Sequence, residues 1–267
     1  MLIEKASLKD LKKYKIKYIT TINDKEESYS MDFDLGYSGE KIEFYLNVEN
    51  LNEDDDETIN YFLNKTNEIF NVITYKLKEN GEVDEILNTV EILNKWNKIK
   101  KEFLENNQNK EIFDVIFELN GIINSKEKLS EILKRYNIIP YLTLGFYNTE
   151  LSKIRPFRLN GTLYNMYLLE NIPVQFDIYG ETIENEKKIL ITGKETNEFD
   201  RIKYKNKIIK NFSNVDIKKI GAFDLKCNGN YTFNLDNTLK ELNFQVLIEI
   251  QNLVQCNYAY LIKEREE

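Results

Sequence analysis

Apolar side chains occupy alternate positions through most of this chain. Over residues 14–22, Tyr14, Ile16, Tyr18 and Ile22 share one side. Over 29–35, Tyr29, Met31, Phe33 and Leu35 alternate with Ser30, Asp32 and Asp34, and over 41–48 Ile42, Phe44, Leu46 and Val48 fall together. A period of two means half-buried strands with one face on a core. The links are short and polar (Asn23-Asp24, then Gly36 to Gly39), which predicts an antiparallel meander. Next, Ile73, Tyr75 and Leu77 alternate, Asn80-Gly81 offers the positive φ of a tight hairpin, and Val83 to Leu87 return. The second half repeats this character. Strands are expected over 161–169, 174–180 and 187–193, then around Tyr231, Phe233 and Leu235, over 244–250 and over 254–262.

Between these lie stretches with helical spacing. Ile59, Phe62, Leu63, Thr66, Ile69 and Phe70 predict a helix within 52–70. Glu53 to Glu57 then stand at its N-terminus, where carboxylates are favoured, and their spacing matches no calcium loop. Val90, Leu93, Trp96, Ile99/Lys100 and Phe103 form one face of a second helix, with Trp96 as a core anchor. Residues 106–110 read as a polar link. A helical pair is expected over 110–136, with Ile112, Phe113, Ile116, Leu119 and Ile123 lining the first member and Leu129, Ile132, Leu133 and Tyr136 the second. Ser125 or Asn124 is the expected N-cap and Pro140 the stop. Residues 141–147 fit a short strand or a buried loop, and 196–212 fit helix and strand equally.

The two best hairpins align without gaps. Tyr75 lies over Tyr231, Leu77 over Phe233, Asn80-Gly81 over Asp236-Asn237 and Ile86 over Leu242. The offset is constant, since 231 − 75 and 242 − 86 both give 156. Duplication explains this, and so does convergence, because turns draw on Asn, Asp and Gly for steric reasons. The fold expectation is α+β: two mainly antiparallel β-sheets, a pseudo-repeat of two β-rich halves, with a helical segment between them. The halves would be 1–105 and 148–267, joined by a connector over 106–147, either as separate bodies or as one compact domain.

Composition narrows function mostly by exclusion. The 267 residues are 42% apolar with 17 Tyr and 15 Phe, ample material for a core. The net charge of −8 argues against nucleic acid, and the basic run 203–210 reads as a solvated face. Without His, the Ser-His and Cys-His nucleophile pairs are gone, and with two Cys no zinc site is expected. No nucleotide-binding glycine motif occurs, so no cofactor is expected. Cys227 and Cys256 read as two buried thiols in strands, the alternative being a pair that faces across a hairpin. The chain holds no long apolar run and no leader-like start, so a cytoplasmic protein is expected, provided Met1 is the natural start.

The leading expectation is a non-catalytic bacterial binding protein acting on another, basic protein: an adaptor, secretion-cargo chaperone or immunity protein. One alternative is a carrier of an apolar small molecule or lipid in a cleft between sheets. A weaker one is a carboxylate hydrolase using Asp32/Asp34 or Asp177/Glu181. The candidate binding residues are the hairpin aromatics Tyr75, Tyr231 and Phe233, together with Arg155 and Arg158, whose guanidinium groups suit a carboxylate or phosphate.

Overall fold

A computed structural model describes residues 1–8, 10–47, 62, 65–106, 110–136, 138–212 and 219–265. Val48, Glu53 to Glu57, Ile59, Leu63 and the middle of the 106–110 link lie outside these residues.

The protein is mostly β. Its strands are β1 (Lys12–Ile22), β2 (Lys25–Tyr37), β3 (Lys41–Asn47), β4 (Val72–Leu77), β5 (Val83–Ile86), β6 (Phe157–Met166), β7 (Glu170–Ile183), β8 (Glu186–Glu195), β9 (Phe223–Phe233), β10 (Leu239–Ile250) and β11 (Val254–Glu264). Helices of the described residues are α1 (Thr89–Asn106), α2 (Lys110–Ile123), α3 (Lys126–Lys134), the short α4 (Ile139–Leu142) and α5 (Arg201–Ile209).

The expectation of two sheets with helices between them is overturned. All eleven strands form a single antiparallel sheet in the order β5-β4-β3-β2-β1-β11-β10-β9-β8-β7-β6. What joins the halves is the last strand, which pairs beside the first. Alternation reports which face of a strand is buried and is silent on which backbone edge meets which. A pairing between strands separated by most of the chain therefore leaves no mark in periodicity.

The strand order is itself repetitive. β1 to β5 and β6 to β10 are each a five-stranded run of sequential neighbours, and each has a helical segment between its third and fourth strands. In the first run this is the turn ending in the 3-10 helix Glu68–Phe70; in the second it is α5. β11 stands apart from both runs. The two hairpins match in detail. Tyr75 pairs with Ile86 and Leu77 with Val83; Tyr231 pairs with Leu242 and Phe233 with Leu239. Asp84 and Lys240, again 156 apart, are the residues skipped by a register shift in each ladder.

By contact density the chain divides into two units, neither contiguous in sequence: residues 7–14 with 31–143, and residues 1–6 with 15–30 and 144–267. In the first, Phe33 stacks on Tyr14 at 5.3 Å and meets Phe44 at 5.1 Å. Trp96 is fully buried, and Phe103 meets Phe62 edge-on at 4.8 Å. The α1 face is rotated from expectation: Ile92, Trp96, Ile99 and Phe103 are buried, while Val90 is 68% exposed. The α2–α3 pair forms where expected. Ser125 caps α3, its Oγ accepting from the Lys128 amide. Pro140 sits in the first turn of α4 rather than closing α3, a place where its missing N–H costs nothing.

In the second unit, alternate residues of β9 (Phe223, Leu225, Cys227, Tyr231, Phe233) and β10 (Phe244, Val246, Ile248, Ile250) line one buried face. At one end Phe146 meets Tyr231 edge-on at 5.6 Å, and Asn148 donates its amide to the Ile3 carbonyl at 2.7 Å. At the other end α5 covers Phe223 with Tyr204, centroids 5.7 Å apart. The ambiguous 196–212 stretch resolves as helix because Asp200 caps it, accepting from the Lys203 amide at 2.8 Å, and because Tyr204 and Ile208, one turn apart, are both buried. Between the ends the ring of Phe176 lies over Gly161 and Gly193 on the two flanking strands. A Cβ at either glycine would come within 2.6 Å and 2.9 Å of that ring.

Candidate functional site

The aromatic residues singled out from sequence are core residues. Tyr75 is fully buried and its hydroxyl donates to the Leu133 carbonyl at 3.1 Å. Burial drives its phenol well above the usual tyrosine range, so it stays neutral at any physiological pH. Tyr231 and Phe233 are brought together, their rings parallel at 6.3 Å, and each is 1% exposed. Their alternation made them visible; the same alternation turns them inward.

The arginines are on the surface. Arg155 is exposed, with its amide donating to Ser152 Oγ. Arg158 Nε donates to Asp177 Oδ1 at 3.0 Å across the β6–β7 ladder. Its fork is thus already turned on a carboxylate of the next strand. Glu181 is likewise paired, with Lys153 at 2.7 Å, so both acids offered for hydrolysis on β7 hold cations. The described strands form one sheet, so the pair of sheets from which the lipid-carrier alternative started is replaced by a single one. Cys227 and Cys256 are buried free thiols, but they do not face one another across a hairpin. β10 runs between them, with Val246 opposite Cys227 and Ile248 opposite Cys256. Two strand spacings come to about 9.5 Å, beyond the reach of a disulfide. No helix is long and apolar enough to cross a membrane, and no three His, Cys, Asp or Glu side chains gather as metal ligands, both among the described residues.

The surface feature that stands out is α2. Ile112, Ile116 and Ile123 are buried and lie within one narrow arc of the helix. At about 100° per residue, Phe113 falls roughly 80° and Phe117 roughly 120° from the middle of that arc. Phe113, expected on the core face, is accordingly 36% exposed, and Phe117 is 81% exposed. Gly121 continues the same strip, with open space where a side chain would stand. Beside the strip run Asp114 and Glu118, both exposed and without an ion pair among the described residues; Lys110 in the first turn is the cation of this face. The result is two aromatic rings one turn apart with carboxylates along one flank. The signal was present in the sequence. Phe113, Val115 and Phe117 lie outside the arc that the isoleucines fill, and a helix apolar over more than one stripe has more than one surface to cover.

Compared with known proteins, the chain matches no family model, no curated protein and no solved structure.

Proposed function

We propose that this is a non-catalytic binding protein that acts through protein–protein contact, as an adaptor, cargo chaperone or immunity protein does, and that α2 is the face it offers. The observation that carries this reading is Phe117, 81% exposed, with Phe113 one turn away and, alongside, Asp114 and Glu118, which form no ion pair among the described residues. Burying one such ring in an interface contributes about 1.5–3 kcal/mol, the scale of a hot-spot anchor. The acids, in a chain of net charge −8, favour a basic partner surface that carries aliphatic side chains to meet the rings. Two buried, unbridged thiols are in keeping with a reducing compartment, and we place the protein in the cytosol.

The test is photo-cross-linking in the source cells, with a photoreactive amino acid at Phe117 and, as control, at Ile154, which is 84% exposed in the other unit. A single adduct at 117, absent at 154 and lost when Asp114→Lys and Glu118→Lys are added, is expected. Identical adducts at both positions, or none at 117, overturn the reading. So does an adduct at twice the 31.8 kDa chain mass, which would make the face a self-association surface.

A further inference from the structure

β6, β7 and β8 carry a second surface, independent of α2. On the side opposite the buried face, Asn160, Gln175 and Lys194 stand directly across from one another on three adjacent strands. Thr162 and Pro173 form the next rung. Beyond β8 the chain turns back through residues 196–198, with the Thr196 amide donating to the Pro173 carbonyl at 3.0 Å. The turn closes the rungs into a cleft of about 580 Å³, within the range of small-molecule sites.

The wall chemistry selects a ligand class. Amides and a hydroxyl (Asn160, Gln175, Thr162) line it, and each both donates and accepts. An apolar guest would strand these groups at about 1–3 kcal/mol apiece. Lys194 and Glu198 bring one charge of each sign to the wall, and Glu195, only 6% exposed, is already neutralised by Arg201, so the wall favours no net charge on a guest. A nucleobase would find no aromatic ring on the wall to stack on. A peptide strand would direct alternate side chains at the wall, where only Pro173 and Gly161 are apolar.

We infer that this cleft binds a neutral saccharide of two to four units, held by the Asn160–Gln175–Lys194 rung and by Thr162 on the next. The Pro173 ring supplies the apolar patch for a sugar's C–H face. The inference stands apart from the role of α2, because the cleft lies wholly in residues 144–267.

The side-chain amides of Asn160 and Gln175 are direct reporters in a proton–nitrogen correlation spectrum. The probes are neutral di- to tetrasaccharides built on glucose, galactose or N-acetylglucosamine, a uronic-acid disaccharide, a mononucleotide and a tetrapeptide. At least one neutral saccharide is expected to move these resonances at millimolar concentration. Gln175→Leu should weaken that binding tenfold or more, and Asp114→Lys/Glu118→Lys should leave it unchanged. The inference fails if no neutral saccharide moves the two resonances, or if the nucleotide or peptide does so instead. It fails equally if a Gln175→Leu variant with a native-like spectrum binds as the parent does.

Discussion

Gly81 and Asn237 hold the same seat in two copies of one turn. Each has positive φ, 88° and 66°, and each donates its amide to a carbonyl three residues back, Lys78 and Asn234, at 3.0 Å. The residue before each, Asn80 and Asp236, accepts the amide two residues on through its side chain. This is a three-residue loop, a β-turn closed by one left-handed residue, and not the two-residue turn that Asn-Gly predicts from sequence. Because 237 − 81 is 156, the hairpin offset runs through the turn as well as the strands. The seat needs a residue that tolerates positive φ, and Asn does so nearly as well as Gly. Gly81→Asn is therefore expected to cost less than about 0.5 kcal/mol, and Gly81→Val about 1–2 kcal/mol, in urea unfolding. Equal costs for the two would refute the shared seat.

Phe176 fills space that two glycines leave open, so the three positions are coupled. Gly161→Ala puts a methyl 2.6 Å from the ring and should cost about 1–3 kcal/mol. Phe176→Leu removes the obstruction while opening a cavity. The double variant should be at least 0.5 kcal/mol more stable than the sum of the singles. Strict additivity in the double-mutant cycle would show that the ring and the glycine do not meet.

Trp96 is the chain's single tryptophan, and its Nε1 donates to Asn120 Oδ1 at 3.3 Å. The same oxygen accepts from Lys100 Nζ at 2.9 Å and Asn124 Nδ2 at 2.7 Å. Asn120→Leu removes an acceptor for three donors. It should cost about 1–3 kcal/mol and shift tryptophan emission, whereas Asn124→Ala should leave the emission where it is. An unchanged spectrum in Asn120→Leu would count against the bond.

The buried phenols and thiols set an alkaline limit. Burial raises Tyr75 and Tyr231 well above 10, and pushes Cys256 from 9 up to about 12. A folded value above the unfolded one means stability is complete below the unfolded value. It is then lost as pH rises towards the folded one. Stability should be flat through neutrality and fall from about pH 9, more steeply above 10, by about 1.4 kcal/mol per pH unit for each group. Tyr231→Phe should make the slope above pH 10 shallower. A slope unchanged by that substitution would mean the phenol is not sheltered.

The sequence marks the inward side of the strand interiors but not of their ends: Tyr29, read as inward, is 52% exposed, and Leu235 is 57% exposed in the turn after β9. Phe33, Phe44, Ile73, Tyr75, Val246 and Cys256 were all placed by alternation and all are buried. It also marked the two equivalent hairpins, the α2–α3 pair and the Ser125 cap. These are local matters: a side chain's face, a turn's φ and a cap's oxygen are decided within a few residues. Tertiary structure alone decided the rest. The pairing of β11 beside β1, which makes one sheet of two runs, uses N–H and C=O groups that every residue carries alike. The exposure of Phe117 depends on which arc of α2 its neighbours cover. The cleft on β6, β7 and β8 arises because register sets Asn160, Gln175 and Lys194 in line, although 34 positions of sequence separate the first from the last (194 − 160). Where a property belongs to two segments at once, neither segment's sequence contains it.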